Sequence, residues 1–212
     1  MADKLPKGLY ALVDDSVAPA VPLVAKARGV LDGGGRVLQL RMKRTTDREA
    51  LAAVREVVAL ARPLGARVIV NDRVDLALAG GADGVHLGEE DLPVGVARRI
   101  LGPAALIGAT ARSLEEIREA QRLGADHVGL GPIFATRTKV VAHGELGLER
   151  FAALVRESPL PVIGIAGVTL ATIGQVAAAG AWGAAVARDL LEASDIGGRA
   201  RALQAAFHAR LA

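Results

Sequence analysis

Eight short apolar runs, separated by stretches with helical spacing, leave this chain very few folds. The runs cover residues 9–13, 37–40, 68–70, 84–87, 105–107, 127–130, 162–165 and 184–186. Each is continuously apolar rather than alternating, as in strands covered on both faces. Between them, residues 48–64 place Leu51, Val54, Val57, Val58 and Leu60 along one helical face, and residues 113–123 do the same with Leu114, Ile117, Ala120 and Leu123. Strands of this kind alternating with amphipathic helices predict a parallel sheet sheathed in helices. Eight such units in 212 residues predict an α/β protein with one domain over residues 1–212, a single (β/α)8 TIM barrel. The rival is a doubly wound sheet. It fits less well, because no glycine-rich fingerprint follows the first run, and "LDGGGRV" at residues 31–37 is a helix-to-strand turn.

A weak internal repeat agrees with this plan. "GGADGVHLG", "LGADHVGLG" and "AGAWGAAVA" each end a helix on glycine and re-enter a strand within a few residues. Helix starts are marked by Thr46 or Asp47, by Ser113 with Glu116 three residues on, and by Thr169 or Thr172.

Composition removes several function classes. Hydrophobic residues make up 51% of the chain and aromatics only 2%, so the core is built from Ala, Val, Leu and Ile. Cysteine is absent, which excludes disulfides, thiol catalysis and thiolate metal sites. The opening "MADKLPKGLYALVDDS" holds no apolar segment of the roughly 7–15 residues that a secretion signal needs. No run reaches the roughly 18 apolar residues of a membrane helix. The expectation is a cytoplasmic protein without a membrane partner. The 26 basic residues are scattered among 23 acidic ones for a net charge of +3, and few aromatics are present for base stacking, so no nucleic-acid partner is expected. The composition is compatible with a homo-oligomer.

In such a barrel chemistry gathers at the carboxyl ends of the strands, so the residues just after each run matter most. Gln39, Arg41 and Lys43 share one face of the second strand, with Leu40 and Met42 on the other. Two cations facing inward need an anion, which suggests a polyphosphate clamp with Arg forking two oxygens and Lys as a point charge. The third run stops on Asn71-Asp72, and the fourth leads into Gly88-Glu89-Glu90-Asp91. Adjacent parallel strands lie about 4.8 Å apart, so carboxylates beyond their ends can share one cation. Two carboxylates with substrate oxygens and waters suit Mg2+. The plain alternative pairs Asp72 with Arg73 and makes Asp91 a cap for the helix near Pro93; Glu89 and Glu90 read as solvated. The connection after the sixth strand is the longest and holds Thr136, Arg137, Thr138 and Lys139, hydroxyls and cations suited to phosphate oxygens. After the seventh and eighth strands, Gly167 allows close backbone approach, and Arg188 supplies a cation or pairs with Asp189 or Glu192. His86 and His127 read as core or lining residues, His208 belongs to the terminal helix, and His143 sits in the long loop.

Five segments in order, "QLRMK", "VNDRVDLAL", "GADGVHLGEEDLP", "GADHVGLGPIFATRTK" and the region around "GAWGAAV", resemble the thiamine phosphate synthase family over essentially the whole length. The resemblance implies a (β/α)8 barrel that joins hydroxymethylpyrimidine diphosphate to thiazole phosphate and releases pyrophosphate, so its partners are small phosphorylated substrates. It implies that the segment Gln39, Leu40, Arg41, Met42, Lys43 and Asn71 meet the pyrimidine diphosphate, and that Asp72 and Asp91 hold Mg2+. It places Thr110 near the reacting centre, where the family has serine. Thr136, Arg137 and Thr138 fall at the thiazole phosphate, Lys139 at the diphosphate, and Gly167 with Ala187 and Arg188 at the thiazole-phosphate backbone site. Arg41, Lys43, Thr110 and Lys139 carry the catalytic expectations. The chain departs from the family at Arg188, usually serine; at Ile165-Ala166-Gly167, usually a two-glycine turn; at Arg112, often histidine; and at Glu89, usually glutamine. Two alternatives remain open: a thiazole tautomerase of the related branch, which tends to lack the Asn-Asp pair and the cationic clamp, and a phosphate-binding homologue without turnover.

Overall fold

A computed structural model describes residues 5–135 and 144–210. Eight parallel strands close into a barrel in chain order: β1 Gly8–Asp14, β2 Val37–Arg41, β3 Arg67–Asn71, β4 Gly84–Leu87, β5 Leu106–Ala111, β6 His127–Leu130, β7 Val162–Gly164 and β8 Gly183–Val186. β8 pairs back onto β1 with Gly8 opposite Gly183, which closes the cylinder. The helices follow their strands: α1 Leu23–Asp32, α2 Asp47–Ala61, α3 Val74–Gly80, α4 Val94–Leu101, α5 Leu114–Arg122, α6 Leu148–Glu157, α7 Ile173–Ala178, and the pair α8 Arg188–Leu191 and α9 Ile196–His208. All eight apolar runs are strands, as expected. The helical stretch at 48–64 ends sooner: α2 stops at Ala61 and Arg62–Leu64 tightens into a 3-10 turn, because Pro63 lacks the N–H that an α-helix would use there.

Period-two alternation divides the strand side chains between two cores. Leu9, Ala11 and Val13 of β1 point outward into the shell shared with the helices, joined by Leu38, Leu40, Val68, Val70, Val85 and Val128. Tyr10, Val37, Ile69, Leu106 and Ile163 fill the barrel interior. The helices are pinned by local chemistry. Thr46 and Glu49 form a reciprocal capping box at the start of α2, and the Ser113 hydroxyl accepts the Glu116 N–H at the start of α5; each such cap is worth about 1 kcal/mol.

The internal repeat has a structural reason. Asp83 accepts the Val68 N–H at 2.8 Å, and Asp126 accepts the Ile107 N–H at 2.8 Å and an Arg98 N–H at 2.5 Å. Each acid thus satisfies a strand donor at the amino-terminal rim, the stability face of such a barrel. In the third copy Trp182 takes that place, and its indole N–H donates to the Leu5 carbonyl. Among the described residues no helix is long and apolar enough to cross a membrane.

Candidate functional site

At the opposite rim a cavity of about 1820 Å3 spans the carboxyl ends of the strands and descends to Tyr10 and His127 inside the barrel. Gln39, Arg41 and Lys43 all line it, as the alternation of β2 requires. The side chains of Leu40 and Met42 turn the other way. Leu40 is fully buried in the helix–sheet shell and Met42 packs against it, so neither side chain faces the cavity.

The two cations do not stand free, as the clamp reading assumed. Arg41 lies 2.8 Å from Oδ2 of Asp14, a fully buried carboxylate at the end of β1 directly opposite it in register. Lys43 donates to Oδ2 of Asp72 at 2.5 Å. Like-charge repulsion between them is therefore offset by carboxylates of the protein before any anion arrives. The backbone that carries Lys43 is itself tied down. Asp15 accepts the N–H groups of Lys43, Arg44 and Thr45 at 3.1, 2.7 and 3.1 Å, and the Thr45 hydroxyl at 2.9 Å. Burial alone would raise the Asp15 carboxyl, but these donors, Arg44 first, outweigh it and hold it below the usual carboxylate range.

Asp72 and Asp91 meet, and neither does what the plain alternative supposed. Arg73 pairs with Asp47 and Asp75, leaving Asp72 to Lys43. Helix α4 has Pro93 at its N-cap and no side-chain cap; Asp91 turns back and accepts the Gly88 N–H at 2.7 Å. Asp72 adopts a left-handed backbone, φ 64°, and its own N–H donates to the His86 carbonyl. That turn ends β3 abruptly and directs the carboxylate across to β4; aspartate is one of the few non-glycine residues that tolerates it. Burial raises the Asp91 carboxyl above its usual range, the neighbouring Asp72 carboxylate raises it further, and Lys43 opposes both. Two facing acids of this kind favour a cation between them. No group of three or more His, Cys, Asp or Glu able to hold a metal gathers among the described residues. A divalent ion here would complete its shell with substrate oxygens and water, the habit of Mg2+ rather than of a metal bound only by protein.

Deeper in the barrel the lining is polar but uncharged. Gln39 donates to the Tyr10 hydroxyl at 3.0 Å, while burial raises the Tyr10 phenol, which keeps it protonated. Thr110, near the end of β5, faces the cavity with its hydroxyl 3.1 Å from Nε2 of His86. Burial pushes His86 down to about 4, against the pull of Asp91, and His127 down to about 3, with His86 adding to the effect. Both imidazoles are neutral near pH 7. They fit side by side because Gly108 carries only a hydrogen where a Cβ would strike His127 Nε2 and His86 Nδ1. Asn71 ends β3 opposite His86 in register and also lines the cavity.

On the far side Gly167, φ 73°, does permit a close approach, but by protein. A Cβ there would lie 2.5 Å from the Ala135 carbonyl oxygen and 2.7 Å from Phe134 Cβ. Ile165 and Ala166 accept the N–H groups of Ile133 and Phe134, so the start of the β6 loop lies along this turn. Ala166, just before Gly167, also has a positive φ, 67°. Ala187 and Arg188 border the cavity, and Arg188 forms an exposed pair with Glu192 at 2.8 Å while Asp189 pairs with Arg199. Arg112 lies 3.5 Å from Glu89 on the outer edge. Thr136, Arg137, Thr138, Lys139 and His143 lie outside the described residues.

Sequence reasoning missed Asp14 and Asp15, the acids that support both cations. The signal was present: "LVDDS" ends an apolar run in carboxylates just as the third and fourth runs do.

Comparison with known proteins adds an independent line. A family model described as thiamine monophosphate synthase matches residues 9–190. The chain is 59% identical over 203 residues to a thiamine-phosphate synthase of Myxococcus xanthus, covering 96% of this chain and 93% of that one. It is 50% identical over 202 residues to the thiamine-phosphate synthase of Anaeromyxobacter dehalogenans, covering 95% and 88%. Among solved structures, thiamine phosphate pyrophosphorylase from Pyrococcus furiosus superposes with a TM-score of 0.88 at 34% identity, over 100% of this chain and 99% of that one.

Proposed function

Because the chain belongs to the thiamine monophosphate synthase family, we propose that its barrel mouth joins hydroxymethylpyrimidine diphosphate to thiazole phosphate, giving thiamine phosphate and pyrophosphate. The protein is a transferase of thiamine biosynthesis with small phosphorylated substrates. The observation that carries the site assignment is the meeting of Lys43, Asp72 and Asp91 beside Arg41 at one rim.

The reaction is a substitution in which the C–O bond to the diphosphate breaks and the thiazole nitrogen forms the new C–N bond. Its barrier lies mainly in charge growing on the departing pyrophosphate. Arg41, with guanidinium donors left after its bond to Asp14, forks phosphate oxygens, and Lys43 adds a point charge once it leaves Asp72. Asp72 and Asp91 would hold Mg2+, which would supply further electrostatic stabilisation of the departing anion. Gln39, Asn71 and the Thr110 hydroxyl orient the heterocycle, and the neutral His86 imidazole fixes the hydroxyl rotor. Lys139 is assigned to the diphosphate, and Thr136, Arg137 and Thr138 with Gly167, Ala187 and Arg188 to the thiazole phosphate. No protein nucleophile is required, in keeping with a chain that lacks cysteine.

The tautomerase reading fits the site less well, since Asn71, Asp72 and Lys43 border one cavity and Arg112 stands where that branch uses histidine. The test is direct. Purified protein with both substrates and Mg2+ is expected to release pyrophosphate in step with thiamine phosphate. Binding of either phosphate without turnover would favour a silent homologue instead.

A further inference from the structure

We propose that Asp14 is a positioning residue that holds the Arg41 guanidinium ready for the diphosphate, an inference that rests on the role given to Arg41 above. Asp14 has no solvent exposure, and a carboxylate buried to that degree is costly unless its oxygens are fully partnered. It is so partnered. Oδ1 accepts the Ser16 N–H at 2.7 Å and the Ser16 hydroxyl at 2.5 Å, while Oδ2 accepts Arg41 at 2.8 Å. Its main chain is clamped as well, because Lys26, itself 1% exposed, donates to the Asp14 carbonyl at 3.0 Å and to the Val17 carbonyl at 2.6 Å. Burial lowers the Lys26 ammonium from its ordinary value, and the charges of Asp14 and Asp15 counter that. A second buried charge is therefore committed to keeping this short segment in place.

The geometry transmits to the site through a single bond. Asp14 and Arg41 are Cα partners at the ends of β1 and β2, so the ion pair spans the shortest distance between two strands. Among the described residues Asp14 is the only hydrogen-bonding partner of the Arg41 guanidinium. The bond uses one of five N–H donors and leaves the rest for an anion. A free arginine would lose rotamer freedom on binding; one already fixed from behind has lost it during folding. The opposing effect is the negative charge of Asp14, which by itself repels a diphosphate. Orientation should outweigh it, because the carboxylate is covered by Arg41 and by Ser16 rather than facing the cavity.

The test is a double-mutant cycle read as magnesium pyrophosphate affinity by calorimetry, with thermal stability measured on each variant. Asp14→Asn keeps the volume and one oxygen but loses the charge. It is expected to weaken pyrophosphate about tenfold with Arg41 present and less than about twofold when Arg41 is alanine. The KM for the diphosphate substrate is expected to rise more than kcat falls. Unchanged or tighter pyrophosphate binding in Asp14→Asn, or the same loss in both backgrounds, would overturn the inference. If Arg41→Ala alone binds pyrophosphate like the parent, it is the role of Arg41 that fails. Should Asp14→Asn not fold, Ser16→Ala removes one donor and keeps the carboxylate. It is expected to weaken pyrophosphate about two- to threefold, and no change there counts against the proposal.

Discussion

Lys43 Nζ lies 2.5 Å from Oδ2 of Asp72, so a half-exposed cation of the rim rests on one of its two facing carboxylates. The lysine side chain is half exposed and the aspartate only 19%, which makes the ammonium the mobile member of the pair. A cation between Asp72 and Asp91 and a phosphate beside it would compete for both partners at once.

Removing that ammonium should therefore separate two affinities. In the substrate-free protein, Lys43→Met is expected to bind Mn2+ several-fold more tightly, since one charge near an exposed pair is worth about 1 kcal/mol. Pyrophosphate binding by the same variant is expected to weaken. Titration of Mn2+ followed by electron paramagnetic resonance checks the first, and unchanged Mn2+ affinity would refute the exchange.

Asp72→Ala removes a carboxylate directed inward by a left-handed backbone. Turnover is expected to fall by about 100-fold or more at saturating Mg2+, the scale of losing one electrostatic element of a site. Stability should change little, because the carboxylate is only partly buried and its ion pair partner is exposed. Steady-state rates beside thermal melting distinguish the two.

Gly167→Ala is a steric prediction. The new methyl meets the Ala135 carbonyl oxygen and Phe134, on a backbone with φ 73°. Left-handed strain costs about 1–2 kcal/mol and overpacking about 1–3 kcal/mol. A melting temperature within a degree of the parent would show that the β6 loop does not rest on this turn.

His127 predicts a pH slope. Its folded value is pushed down to about 3 by burial, while an unfolded histidine takes up its proton near 6.5. The unfolded state binds the extra proton first as pH falls, so stability is full above about 6.5 and declines toward 3, by at most about 1.4 kcal/mol per pH unit. Urea midpoints between pH 4.5 and 7 should show a shallower slope in His127→Phe.

Much of this was legible from spacing alone. The eight runs located eight strands, since a strand buried on both faces must be continuously apolar whatever surrounds it. Gln39, Arg41 and Lys43 were placed on one face by alternation, and Asn71 and Asp72 at a strand end by where the apolar run stops. What spacing could not supply was pairing. Arg41 turned out to be bonded to Asp14, 27 residues earlier, and Lys43 to Asp72, 29 residues later. The reading of Asp72 as a partner of Arg73 used a near neighbour, and its actual partner, Lys43, lies across the rim; Asp91 caps no helix and accepts the Gly88 N–H instead.

The chain by itself determined its architecture, because hydrophobic periodicity is a local property that every eight-unit barrel must satisfy. It also determined which residue types stand at the carboxyl-terminal rim of the strands. Only tertiary structure decided which charges neutralise which, since closing the barrel sets strand ends side by side irrespective of their separation in sequence. Electrostatic energy depends on that distance in space, and Asp14 acquires its importance there.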